Sequence, residues 1–203
     1  MNEGKRPNQT IDFYNVQAEK YVAETVDLDV SNIRNLFLNL IPEGGYILDL
    51  GCGSGRDSRF FIDDGYSVTA VDASHELAKL AGEYIGKTVE NISFQELDYL
   101  ETFDGIWACA SLLHCPKSEM GAVIQRMAKA LKSNGIIYMS FKYGEGEHFD
   151  ERGRFFNDYT EVEMSNMLAE HSDLHVVELF TESKPLRSGF QTWVNVFAKK
   201  QVK

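Results

Sequence analysis

Apolar positions along this chain follow two periods in turn. Short continuous apolar runs at residues 46–50, 67–71, 92–94, 103–108 and 136–141 read as strands buried on both faces. Between them the period lengthens to that of a helix. Tyr14, Ala18, Tyr21 and Thr25 share one face of a helix predicted over 12–26. Ile33, Leu36, Phe37 and Leu40 line a second over 29–40, stopped by Pro42 and Gly44-Gly45. A helix at 56–64 is closed by Gly65, and Ser74 caps another that turns Leu77, Leu80, Ala81 and Tyr84 inward before Gly86. Residues 118–132 place Val123, Ile124, Met127, Ala128 and Leu131 on one side and Gln125, Arg126, Lys129 and Lys132 on the other, with Asn134-Gly135 as the stop. Thr160 with Glu163 spells a capping box ahead of a helix at 161–170. Two last strands, 174–181 and 191–199, flank a turn at 182–189 and lie close enough in sequence to pair antiparallel. Five strand–helix alternations ending in an antiparallel pair predict an α/β fold. Its doubly wound sheet has seven strands, mostly parallel with a C-terminal antiparallel strand, and helices on both faces.

Composition narrows the picture. With 203 residues and 43% apolar content the chain suits one globular domain. No apolar run approaches the length of a membrane span, and the first ten residues are polar, which predicts a frayed end and no export signal. A net charge of −11 repels phosphate backbones, so a nucleic acid partner is not expected. Cys52, Cys109 and Cys115 are an odd number without paired spacing, which suits a reducing, cytoplasmic setting. A monomer or homodimer is expected. The adjacent pair His114-Cys115 is poor ligand spacing, so no metal is expected.

The chemistry centres on the first two strands. Asp49 stands on the first, and Gly51-Cys52-Gly53-Ser54-Gly55 follows it. Arg56 and Asp57 open the next helix, and Asp72 ends the second strand with Ala73 behind it. Glycines let a ligand approach the backbone closely. Asp72 is placed to accept two hydrogen bonds from a ribose diol, as the acid of the dinucleotide folds does. A dinucleotide fingerprint needs a glycine where this chain has Arg56. The D-x-G-x-G-x-G form instead resembles motif I of the class I S-adenosylmethionine-dependent methyltransferases. That resemblance implies a Rossmann-like core over about residues 29–203, with 1–28 as a helical cap, and S-adenosyl-L-methionine as cofactor. Residues 47–57, 103–108, 112–114 and 131–135 are similar to bacterial small-molecule methyltransferases, including the tellurite-resistance type. The turn at Asn134-Gly135 replaces the Pro-Gly usual in those enzymes.

Further site residues follow from the resemblance. Tyr14 and Tyr21 are candidates to cover the cofactor, although two tyrosines on one helical face also serve packing. Leu97 and Asp98 are candidates to meet the adenine, with Glu96 as the alternative. Ala108 and Cys109, ending the fourth strand, would flank the crevice. His114 is the candidate base by position, or a histidine that only shapes the pocket. Lys142, Arg152 and Arg154 lie where they could receive an anionic acceptor, or simply be solvated. The segment Cys109-Ala-Ser-Leu112 lacks the Asn/Asp-Pro-Pro-aromatic signature of nucleic acid methyltransferases. The expectation is therefore methyl transfer to a small-molecule acceptor. A non-catalytic S-adenosylmethionine-binding regulatory or interaction protein and a protein or RNA methyltransferase are the alternatives.

Overall fold

The computed structural model describes residues 6–185 and 189–201. Its elements in chain order are α1 (Arg6–Val16), α2 (Ala18–Thr25), α3 (Ser31–Leu38), β1 (Tyr46–Leu50), α4 (Arg56–Asp63), β2 (Ser67–Val71), α5 (His75–Ile85), β3 (Phe103–Ala108), α6 (Lys117–Ala130), β4 (Leu131–Lys142), β5 (Glu147–Phe149), β6 (Phe155–Asn157), α7 (Glu161–Ala169), β7 (Leu174–Pro185) and β8 (Phe190–Lys200). Six strands make the main sheet in the order β2-β1-β3-β4-β8-β7. The first four are parallel, and β8 pairs antiparallel with both β4 and β7. This is the doubly wound, Rossmann-like arrangement expected, with one strand fewer.

The missing strand is the one predicted at 92–94. Only Glu90 pairs with the sheet: its N–H donates to Ala70 and its carbonyl accepts from Asp72. Three residues later Ser93 opens a capping box with Glu96, which bends Phe94–Glu96 into a 3-10 turn. The S-x-x-E signature outweighs the short apolar run, because reciprocal side-chain bonds satisfy backbone donors that a strand would need to pair. A second difference is at the N-terminus. Part of the polar start lies outside the described residues, but α1 already begins at Arg6. The helix expected over 12–26 is interrupted at Gln17, whose φ of −106° and ψ of 14° are not helical. Backbone bonds from Gln17 to Phe13 and from Tyr21 to Gln17 carry across the break. Tyr14 and Tyr21 therefore still share a face, edge to face at 5.1 Å. The turn expected over 182–189 is shorter, since β7 runs to Pro185, and residues 186–188 lie outside the described ones.

Ser74 caps α5 by accepting from the Leu77 N–H, and the capping box of Thr160 and Glu163 forms at α7. On α5 the buried stripe is Leu77, Ala78, Ala81 and Ile85, and Tyr84 is left exposed. The sheet is buried on both faces. One face packs under α6 and α7, through Val123, Ile124, Met127 and Leu168. The other holds an aromatic block of Phe37, Phe61, Trp107, Tyr138 and Phe197 beneath α3 and α4. Trp107 stacks on Tyr138 at 4.3 Å. Burying each such side chain stabilises the fold by about 1.5–3 kcal/mol. These two layers fix the carboxyl ends of β1, β2 and β3 as a rigid rim. Among the described residues, no helix is long and apolar enough to cross a membrane.

Candidate functional site

A cleft partly open to solvent lies at that rim, about 710 Å³ with its open mouth included. Gly51 and Gly53 follow β1 on its floor, Asp72 and Ala73 follow β2, and Ala110 and Ser111 follow β3. This is where an open α/β sheet places its ligand. Tyr14 and Tyr21 roof it from α1 and α2, and His114 closes the far end.

The glycine loop is held by its backbone. The N–H groups of Gly51 and Cys52 both donate to the Val71 carbonyl at the end of β2, at 2.9 and 3.0 Å. Gly51 and Gly53 have φ of 77° and 56°, the left-handed region that side chains resist. A Cβ at Gly51 would stand 2.5 Å from the Ser111 Cβ, and one at Gly53 would stand 3.1 Å from the Tyr21 ring. The loop is thus pressed between the β3 side and the roof, and only glycine fits. Asp72 locks this geometry. One carboxylate oxygen accepts from the Gly53 N–H at 2.8 Å and the other from the Ser74 N–H at 2.8 Å. A carboxylate offers about four lone-pair sites, so both oxygens keep capacity for a ligand's hydroxyls. Burial pushes the Asp72 carboxyl up to about 6, against which the two N–H groups work.

Other residues expected in the site stand one layer behind it. Asp49 is buried and accepts from Ser58 Oγ at 2.6 Å, bracing α4 against β1; burial, then the neighbouring Asp57, raises its pKa. Asp57 accepts from Arg34 Nη1, from Arg56 Nε and Nη2, and from Trp107 Nε1. Burial opposes its charge, but these donors outweigh it and its pKa is lowered. Arg56 is thereby committed to Asp57, with Cys109 Sγ at 4.0 Å. Burial pushes the Cys109 thiol up to about 11. Gly55, at φ 77°, starts α4 and packs toward Ala81 and Ile85. Cys52 and Ala108 are buried.

Leu97 and Asp98 fall outside the cleft. Leu97 is in the core, and its carbonyl accepts from Arg126. Asp98 leaves 80% of its side chain exposed and pairs with Lys129, so an adenine contact does not follow from its position. Glu96, the alternative, is occupied capping Ser93. Ser93, Phe94 and Gln95 line the cleft instead. The capping box at Ser93 was the signal that could have placed them there. Ala110 was also missed. It lines the cleft at a φ of 51°, its N–H held by Ser140 Oγ at 2.8 Å. A non-glycine residue kept in that region marks stored strain, which concentrates at functional sites.

The far end is a directed hydrogen-bond chain. His114 Nδ1 lies 2.6 Å from the Phe155 carbonyl. A carbonyl only accepts, so Nδ1 carries the proton and Nε2 is the acceptor. Tyr14 Oη, at 2.8 Å, donates to that Nε2. Arg154 Nη1, at 3.4 Å, points at the same hydroxyl. Burial, with Arg154 and Lys142 adding to it, lowers His114 to about 4, so the ring is neutral near pH 7. Lys142, Arg154 and His114 meet around Phe156. Lys142 Nζ lies 3.5 Å over that ring's centroid, the Arg154 guanidinium carbon 5.0 Å from it, and the His114 ring 4.8 Å. The residues expected to face an acceptor are therefore neighbours, although their sequence positions are far apart.

Against this geometry the likeness to known proteins can be read. A family model described as a methyltransferase domain matches residues 47–135, from β1 into β4, rather less than half of the chain. Among curated relatives, YqeM of Bacillus subtilis, which carries a methyltransferase name, is 30% identical over 52% of this chain and 47% of its own length. The ubiquinone biosynthesis O-methyltransferase of Xanthomonas axonopodis is 31% identical over 50% of this chain and 44% of its own. The chain thus spans about half the length of the curated relatives it matches. A solved structure of 1,6-didemethyltoxoflavin-N1-methyltransferase from Burkholderia thailandensis, with 1,6-didemethyltoxoflavin and S-adenosylhomocysteine bound, superposes with a TM-score of 0.72 at 23% identity. That match covers 97% of this chain and 91% of the other, and it shows a shared fold.

Proposed function

We propose that this protein is an S-adenosylmethionine-dependent methyltransferase acting on a small-molecule acceptor. The observation that carries this is the Asp72 carboxylate, locked to the glycine loop at Gly53 and to the start of α5 at Ser74, facing a cleft roofed by two tyrosines. Asp72 would accept from the two ribose hydroxyls, the glycine loop would admit the amino-acid portion of the cofactor, and the Phe94 turn would meet the adenine. The cofactor supplies the methyl group on a sulfonium; the protein's part is to orient it, align the acceptor and exclude water. α1 and α2 would act as the cap, since they supply Tyr14 and Tyr21 to its roof.

The cleft is only partly open, and the chain's net charge of −11 disfavours a polynucleotide. The O- and N-methyltransferase names of the relatives support a small acceptor, and the likeness to tellurite-resistance-type enzymes keeps that group among the acceptors to screen. Calorimetric titration with S-adenosylmethionine, S-adenosylhomocysteine and NAD tests the reading. Micromolar binding of the adenosyl ligands without NAD is the expected result, and no adenosyl binding by a folded protein overturns it. Binding with no transfer to any acceptor supports the non-catalytic alternative.

A further inference from the structure

We infer that the acceptor is a small organic anion, its charged oxygens received by Arg154 and Lys142; this rests on the methyltransferase reading above. The argument starts from His114. Its proton sits on Nδ1, tied to the Phe155 carbonyl, and its remaining lone pair is taken by Tyr14. The imidazole has no free lone pair for an acceptor's proton. An acceptor that must lose a proton is therefore badly served, whereas one that arrives ionised needs no base. Transfer to an ionised oxygen balances by itself: the O–C bond forms, the C–S bond breaks, and its electron pair neutralises the sulfonium, leaving a thioether and no proton to place.

The two cations stand next to the cleft, beside the Tyr14 and His114 that line it. Asp150 clasps the Nε and Nη2 edge of Arg154, at 2.9 and 2.7 Å, which turns Nη1 toward Tyr14 on the wall of the cleft. Arg154 keeps its charge there, while the Tyr14 O–H stays donated to His114 Nε2, so the guanidinium is left to meet an anion. Lys142 rests on the face of Phe156 and is half-buried. Burial and the nearby Arg154 depress its pKa, with Asp158 and Asp150 acting the other way. An incoming carboxylate would relieve both costs. Asp158 is directed to His148, 3.6 Å away.

The test uses the full chain saturated with S-adenosylhomocysteine, whose binding is first confirmed by calorimetry. Ligand-observed NMR then compares benzoate, phenylacetate and hexanoate with their primary amides. The acids are expected to bind in preference to the amides. Lys142→Met, which keeps a cover on the Phe156 ring, is expected to weaken the acids about tenfold or more while leaving S-adenosylhomocysteine affinity unchanged. Arg154→Met should do the same, and Lys142→Met stands alone if that variant does not fold. Equal binding of acids and amides, no binding of any acid, or a preference that survives in Lys142→Met overturns the inference. If S-adenosylhomocysteine itself fails to bind, the parent reading falls; if it binds and the acids show no preference, only the acceptor class falls.

Discussion

The two ends of the cleft are built in opposite ways. The end at Asp72 is local: Gly51, Gly53 and Asp72 come from a single strand–loop–helix–strand unit, and their contacts are mostly backbone to backbone or backbone to carboxylate. The end at His114 is assembled from remote segments. Tyr14 and His114 are 100 residues apart, Arg154 and Tyr14 are 140 apart, and both contacts are side chain to side chain. Backbone contacts tolerate few substitutions, because the geometry belongs to the chain itself. Side-chain contacts can be exchanged without touching the fold. An end that grips an invariant ligand is suited to the first kind, and an end that selects among guests is suited to the second.

The sharpest way to break this contrast is at the glycines. Gly51→Ala forces a Cβ to within 2.5 Å of Ser111 Cβ at a φ of 77°. The left-handed backbone costs about 1–2 kcal/mol and overpacking about 1–3 kcal/mol more. A loss of roughly 2–5 kcal/mol in urea unfolding is expected, and a stable variant would mean the loop is not tightly held. Gly53→Val should leave a folded protein that no longer binds S-adenosylhomocysteine, because it meets Tyr21 under the roof.

Next in size, Asp72→Ala should weaken S-adenosylhomocysteine by about 1–3 kcal/mol, since it strands the ligand's hydroxyls and the Gly53 N–H. Unchanged affinity in calorimetry would remove Asp72 from the binding end. Tyr14→Phe probes the other end. It leaves His114 Nε2 without its donor and should cost about 1 kcal/mol of stability. Cofactor affinity should move far less than with Asp72→Ala, and an equal loss would erase the distinction between the two ends.

The smallest net effect is in the wild type's own pH dependence, because there the two ends pull in opposite directions. Asp72 ionises near 6 in the fold against an ordinary 3.8. As pH falls from about 6 toward 4 the fold takes up a proton that the unfolded chain still lacks, so this group favours the fold. His114 protonates near 4 in the fold against an ordinary 6.5. As pH falls from 6.5 toward 4 the unfolded chain takes the proton first, so stability is lost. Urea midpoints at pH 7, 5.5 and 4.5 should therefore fall more steeply with acid in Asp72→Asn than in the wild type, and less steeply in His114→Asn. Cofactor affinity should weaken below about pH 6, where Asp72 gains a proton and loses acceptor capacity.

The same contrast explains what could be read from the sequence. Strand runs, the glycine loop and the acid of β2 are properties of neighbouring residues, so spacing reveals them. The positions of Gly51, Gly53, Asp72 and Ala73 at the cleft were legible for that reason. Asp49 and Asp57 were legible as part of the loop but not as what they do. That Asp57 answers Arg34, Arg56 and Trp107 depends on α3 and β3 meeting α4, which no local pattern encodes. The misplacement of Asp98 comes from one competition: a capping box at Ser93 beat a three-residue apolar run and moved the turn. Tyr14, His114 and Arg154 were each suspected singly. Their chain of hydrogen bonds was not legible, because it exists only after α1 has folded across the cleft.

The roof has one more consequence. Along α1, Thr10 Oγ1 accepts from the Phe155 N–H at 2.9 Å, Tyr14 holds His114, and Asn15 Oδ1 accepts from Ser74 Oγ at 2.7 Å. Three positions of this one helix are thus stitched to β6, to the loop after β3 and to the start of α5. Opening the roof means releasing all three together. Motions of that kind run on microsecond-to-millisecond timescales. Held at three points, the roof is one stiff piece whose release would pace the exchange of any ligand beneath it.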